Sequence, residues 1–87
     1  MQEQQIVLEN ETGLHARPAG VFVKAAQKYQ SQVSLSFLGK TVNGKSVMSL
    51  LTLGLQKGSA FTIQTDGADE SEALRNLVQL VQSGFHS

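Results

Sequence analysis

The chain has 87 residues, 40% of them hydrophobic, with seven basic side chains against seven acidic ones and no cysteine. That length supports a single domain, residues 1–87, with one modest core. It leaves no room for the large core of a standard enzyme, and the charge balance argues against nucleic acid or an anionic membrane as partner.

Without cysteine there is no disulfide framework and no thiolate metal site. No apolar run nears the roughly 20 residues of a membrane span, and the polar start Met1–Gln5 lacks a signal-peptide pattern. The expectation is a cytoplasmic protein.

Ile6 and Leu8 fall on one face of an extended run and Gln5 and Val7 on the other, which predicts a strand over residues 4–9. Polar residues 9–12 and Gly13 end it. Ala19, Phe22, Val23, Ala26 and Tyr29 then recur at three-and-four spacing and predict a helix over 16–29. Pro18 sits in its first turn, where a missing N–H costs nothing. Val33, Leu35 and Phe37 alternate with polar residues, giving a second strand over 32–37. A turn at Gly39-Lys40 leads to a short third strand, 41–43, paired as a hairpin.

Ser46 is a good N-cap and Gly54 a good stop, so a second helix of about two turns lies between them. Leu50 and Leu53 point inward; Val47, Met48 and Leu51 fall on another side and predict a contact surface. Phe61 and Ile63 alternate with Thr62 and Gln64 in a fourth strand, 60–66. Asp69 with Glu72 fits a capping box for the last helix. Its buried stripe is Ala73, Leu74, Leu77, Val78 and Val81. Gly84 ends it, and Phe85-His86-Ser87 reads as a tail. The order β-α-β-β-α-β-α predicts an α+β open-faced β-sandwich: a four-stranded antiparallel sheet with three helices packed on one face.

The chemistry concentrates in Gly13-Leu14-His15-Ala16-Arg17-Pro18-Ala19. Here a histidine stands where a loop turns into a helix. Ala16 and Arg17 present backbone N–H groups without helical partners, and Pro18 has none to present. The helix dipole favours an anion by only about 0.3–1 kcal/mol. Charge-assisted hydrogen bonds at roughly 1.5–3 kcal/mol each dominate, and the Arg17 guanidinium supplies a bidentate one. Thr12 adds a hydroxyl. A neutral imidazole attacks phosphorus readily. His15 and His86 are the only histidines, and no carboxylate pair stands beside them, so neither a metal site nor a cofactor is expected.

That segment resembles the active-site signature of HPr, the histidine-containing phosphocarrier family of the bacterial phosphoenolpyruvate-dependent sugar phosphotransferase system. Asn43-Gly44-Lys45-Ser46-Val47-Met48-Ser49-Leu50 resembles that family's regulatory serine motif. The likeness runs without an evident gap from about residue 5 to 82. It implies that the Nδ1 atom of His15 accepts a phosphoryl group from phosphorylated enzyme I, aided by Arg17. The group then passes to IIA domains of sugar permeases. It also implies regulatory phosphorylation of Ser46 by a serine kinase/phosphorylase, with a transcriptional regulator as a further partner.

The partner-binding surface would comprise Gly20, Lys24, Val47, Met48 and Leu51, on a chain expected to be monomeric and to act as a co-substrate, not an enzyme. Gly20 stands where the family often has Ala, which lowers helix propensity and trims a contact; Gly44 loosens the approach to Ser46. The alternative is a nitrogen-related phosphocarrier or a regulatory adaptor paralogue of the same fold. The family's paralogues without the active histidine are ruled out by His15.

Overall fold

The structure is a computed structural model that describes residues 1–85, so the reading of His86 as a tail residue falls outside the described residues. Seven elements follow in the expected order: β1 (Gln2–Val7), α1 (Ala16–Ala26), β2 (Gln32–Phe37), β3 (Lys40–Asn43), α2 (Val47–Leu51), β4 (Ala60–Asp66) and α3 (Glu70–Gln82). The strands form one antiparallel sheet in the order β1-β4-β2-β3. Its inward face carries Ile6, Phe61, Ile63, Val33 and Leu35. These pack with Ala19, Phe22, Leu50, Leu77 and Val81 of the three helices in one core. The open-faced sandwich is therefore the observed architecture.

β2 and β4 begin and end where alternation places them. β1 does not. It begins at Gln2 and leaves the ladder after Val7, two residues earlier than expected, because Gln2 through Gln5 pair through their backbone with Thr65 through Thr62. Ladder bonds need no apolar side chain. Leu8 remains fully buried beyond the strand.

α1 stops at Ala26, not Tyr29. Lys28 and Tyr29 donate to carbonyls three residues back (3.2 Å each), a tightened last turn. The Tyr29 hydroxyl instead accepts from Asn76 Nδ2 at 2.7 Å on α3. The hairpin turn is Leu38-Gly39 and not Gly39-Lys40, since Phe37 pairs with Lys40. Phe85 belongs to the core and not to a tail. Its N–H closes back onto Leu80 O (2.8 Å) past Gly84 in the left-handed region, and its ring is buried.

Two expectations about local chemistry are overturned. Asp69 stands at the N-cap of α3 but makes no capping bond to it. Its carboxylate reaches back across the chain instead. It accepts from the Gln30 N–H (3.0 Å), the Ser31 N–H (2.9 Å) and the buried Ser31 hydroxyl. Glu70, not Glu72, serves the helix start by accepting from the Gly67 N–H at 3.1 Å.

Gly44 does not loosen the approach to Ser46; it makes a close contact possible. Its N–H donates to Val33 O at 2.7 Å, and a Cβ there would lie 2.6 Å from Val33 Cγ1.

The Asp69 clasp carries a pH signature. The Ser31 hydroxyl, then the Gln30 N–H, hold its carboxyl below the ordinary value of 3.8. A depressed folded value means the carboxylate's contribution is present above the unfolded value of about 3.9 and lost as pH falls through the folded one. Thermal unfolding of Asp69→Asn should therefore start lower than that of the parent at pH 7. The gap should close as both are taken below about pH 4. A constant gap across that range would exclude the carboxylate as its source.

Candidate functional site

The loop between β1 and α1 anchors its backbone and leaves the His15 side chain exposed. The Leu8 N–H donates to Ser59 O (2.8 Å) and its carbonyl accepts from the Gly58 N–H (2.7 Å). The buried Leu14 donates its N–H to Leu55 O at 3.0 Å. Gly13 between them has φ +72°, and a Cβ there would sit 2.7 Å from Leu55 O. The Gly13 N–H donates to Asn10 O (3.1 Å), and its carbonyl accepts from Asn10 Nδ2 (2.7 Å).

His15 follows in extended backbone (φ −114°, ψ −164°) as the N-cap of α1. Its carbonyl accepts from the Ala19 N–H at 2.9 Å, while its side chain makes no cap bond and is exposed. Buried Leu14 before it and buried Ala19 after it fix the backbone on both sides. The ring is uncommitted on a rigid mount.

Ala16 and Arg17 are the first two residues of α1 and are exposed; their N–H groups have no carbonyl a turn behind them in the helix. Pro18, third and half-buried, brings no donor. An open cleft lined by Asn10, Thr12, Arg17, Pro18 and Phe85 runs beside this turn. Thr12 and Arg17 thus share one depression, and the Thr12 hydroxyl accepts from Asn10 Nδ2 at 3.4 Å. A second cleft, lined by Gln32, Ser34, Thr41, Asn43 and Lys45, lies at the other end of the β2-β3 hairpin. None of the residues of the His15 corner reaches it.

Asn10 and Leu55 are the supports that sequence reading passed over. Asn10 carries a weak signal, an Asn three residues before a turn glycine, where such side chains bond nearby backbone. Its Oδ1 is buried without a hydrogen-bond partner. Leu55 carries no signal, because its contribution is a carbonyl from a distant segment.

α1, which carries Gly20 and Lys24, packs against α2. Gly20 removes no contact within the chain, since a Cβ there would meet nothing within 4 Å. Of the three apolar residues expected to face outward, Met48 is 75% exposed. Val47 and Leu51 are half-buried against the core, partly in solvent as expected. Ser46 caps α2, its hydroxyl oxygen accepting from the Ser49 N–H at 3.3 Å.

The balanced charge conceals a partition. No acidic residue lies between Glu11 and Asp66, an interval that holds Arg17, Lys24, Lys28, Lys40, Lys45 and Lys57. Glu3, Asp66, Asp69, Glu70 and Glu72 belong instead to β1, the end of β4 and the start of α3. Glu9 and Glu11 lie in the loop after β1, where Glu11 pairs with Lys57 at 2.9 Å, and Arg75 is on α3. The flank formed by α1 and β3 is therefore mainly basic, and the β1-α3 flank mainly acidic.

The family model described as "PTS HPr component phosphorylation site" matches residues 2–83. The chain belongs to the HPr family. HPr from Thermoanaerobacter tengcongensis is 44% identical with a TM-score of 0.94, over 98% of this chain and 96% of that one. The phosphocarrier protein HPr of Bacillus anthracis is 38% identical, TM-score 0.89, over 93% and 96%. Crh of Bacillus subtilis, a catabolite-repression protein described as a swapped dimer, is 40% identical, TM-score 0.79, over the whole of both chains. The sandwich described above is the HPr fold, and this chain is an HPr-family phosphocarrier. Among the described residues no helix is long and apolar enough to cross a membrane.

Proposed function

We propose that this phosphocarrier accepts a phosphoryl group on Nδ1 of His15 from phosphorylated enzyme I and passes it to IIA domains of sugar permeases. The observation that carries the reading is the exposed, unbonded His15 ring held directly ahead of the Ala16 and Arg17 N–H groups. The Nδ1 lone pair forms the N–P bond as the donor's bond to phosphorus breaks, and the ring proton stays on Nε2. Charge on the phosphoryl oxygens is met by the two N–H groups and the Arg17 guanidinium, with Thr12 and Pro18 shaping the cleft wall.

The chain is a co-substrate of the relay, without turnover of its own, and acts in the cytoplasm as a monomer on neither nucleic acid nor membrane. Incubation with phosphoenolpyruvate, Mg²⁺ and enzyme I should yield an acid-labile, base-stable phosphoryl adduct. No adduct would favour the regulatory adaptor, the role for which the Crh likeness gives a precedent.

The partner surface is Gly20, Lys24, Val47, Met48 and Leu51, and Ser46 at its edge is the regulatory phosphosite, phosphorylated by a serine kinase/phosphorylase and read by a transcriptional regulator. Phosphate on Ser46 adds about −1.5 to −2 of charge beside Met48 without refolding α2. Ser46→Ala should lose about 0.5–2 kcal/mol of stability with the cap and accept phosphoryl groups nearly as before. Ser46→Asp should slow transfer from enzyme I by like-charge repulsion at an acidic partner. Equal transfer rates for the two variants would sink this electrostatic account.

A further inference from the structure

The β2-β3 hairpin turns on Leu38 (φ 51°) and Gly39 (φ 83°). Two positive φ values in a two-residue loop describe a type I′ turn, whose first position suits Asn, Asp or Gly. Leucine in the left-handed region is disfavoured. It is also 89% exposed, so burial does not offset the strain. An apolar side chain that is both strained and solvated has no structural reason within the isolated chain.

Its surroundings supply one. The turn lies at the end of the sheet where β1 stops and β4 starts, because Val7 pairs with Ala60, Ser36 with Thr62 and Phe37 with Lys40. That is the end from which the loop carrying His15 departs. Lys40 Nζ donates to Thr52 O at 3.4 Å, tying the hairpin to the far end of α2 from Ser46. A standard interface covers about 800 Å² on each partner, most of one face of a molecule with extents of 33 × 28 × 21 Å.

We propose that Leu38 is a second apolar anchor of the docking surface, fitting an apolar socket on the phosphoryl donor, with carboxylates of that donor facing Lys40. The inference rests on the functional reading above. The donor is the partner chosen because it is one protein while the acceptors are several, and a fixed side chain on a tight turn suits one fixed socket. The absence of acidic residues between Glu11 and Asp66 gives this flank the complementary charge.

Leu38→Asn tests it by removing the anchor and relieving the turn. Calorimetric binding to enzyme I should weaken by about tenfold, the worth of one buried leucine side chain. KM for phosphoryl acceptance should rise in step at unchanged kcat, while the thermal midpoint of the variant rises. Leu38→Met should restore binding. Affinity and KM for Leu38→Asn within twofold of the parent, with the parent itself phosphorylated, would overturn the anchor and leave the carrier function standing. A parent that neither binds enzyme I nor takes up phosphate overturns both.

Discussion

His15→Ala should stay folded and take up no phosphoryl group at all. Given phosphoenolpyruvate, Mg²⁺ and enzyme I, it should form none of the acid-labile adduct that the parent forms, because the described residues hold no other imidazole and the chain has no thiol. Replacing a nucleophile removes the bond-forming atom and not an increment of affinity, so raising the donor concentration should not rescue the variant. The same substitution should leave the unfolding free energy within about 0.5 kcal/mol of the parent. The ring is exposed and makes no capping bond, and the carbonyl that accepts from Ala19 survives in alanine. Loss of acceptance together with a large loss of stability would mean that the ring supports the fold, contrary to its geometry.

Gly13→Ala should do the opposite and strike stability first. A left-handed alanine costs about 1–2 kcal/mol. Its Cβ would also sit 2.7 Å from Leu55 O and 3.1 Å from Gln56 Cα, both backbone atoms that yield only if the segment moves. Moving it breaks the bond from the Leu14 N–H to Leu55 O, worth about 1 kcal/mol more. A loss of about 2–3 kcal/mol is a large share of the 5–15 kcal/mol typical of a domain. At about 4–8 °C per kcal/mol, the midpoint should fall by about 10–20 °C. Gly39→Ala is the control. Its φ of +83° is equally left-handed but nothing lies within 4 Å of its Cβ, so it should lose only the conformational part. Equal losses in the two variants would show that the Leu55 contact carries no weight.

The parts of the fold that could be read in advance are those where neighbouring residues carry the whole signal. β2 shows strict alternation and α3 a continuous apolar stripe, and both appear in the structure on the expected faces. The residues of the His15 corner are consecutive, so their place at one helix start, His15 as N-cap with Ala16 and Arg17 next, was legible for the same reason. What escaped depends on partners distant in sequence. Asp69 looked like a local cap because its partners, Gln30 and Ser31, are nearly forty positions away. Gly44 read as a residue that loosens the approach to Ser46 and Gly13 as a stop after β1, because Val33 and Leu55, which press against them, lie outside their own segments. β1 was displaced because its first residues join the sheet through backbone that no side-chain pattern reports.

A molecule with no net charge feels no net pull towards an acidic surface at long range. With most of its cations on the α1-β3 flank and most of its anions on the β1-α3 flank, it feels a torque instead. Within about 8–10 Å, the reach of unscreened charge at physiological salt, it is turned so that the basic flank leads. Alignment without strong attraction suits a messenger that visits many hosts. On the docking face proposed above, it would arrive already facing the right way, deliver, and leave without being held by its own field.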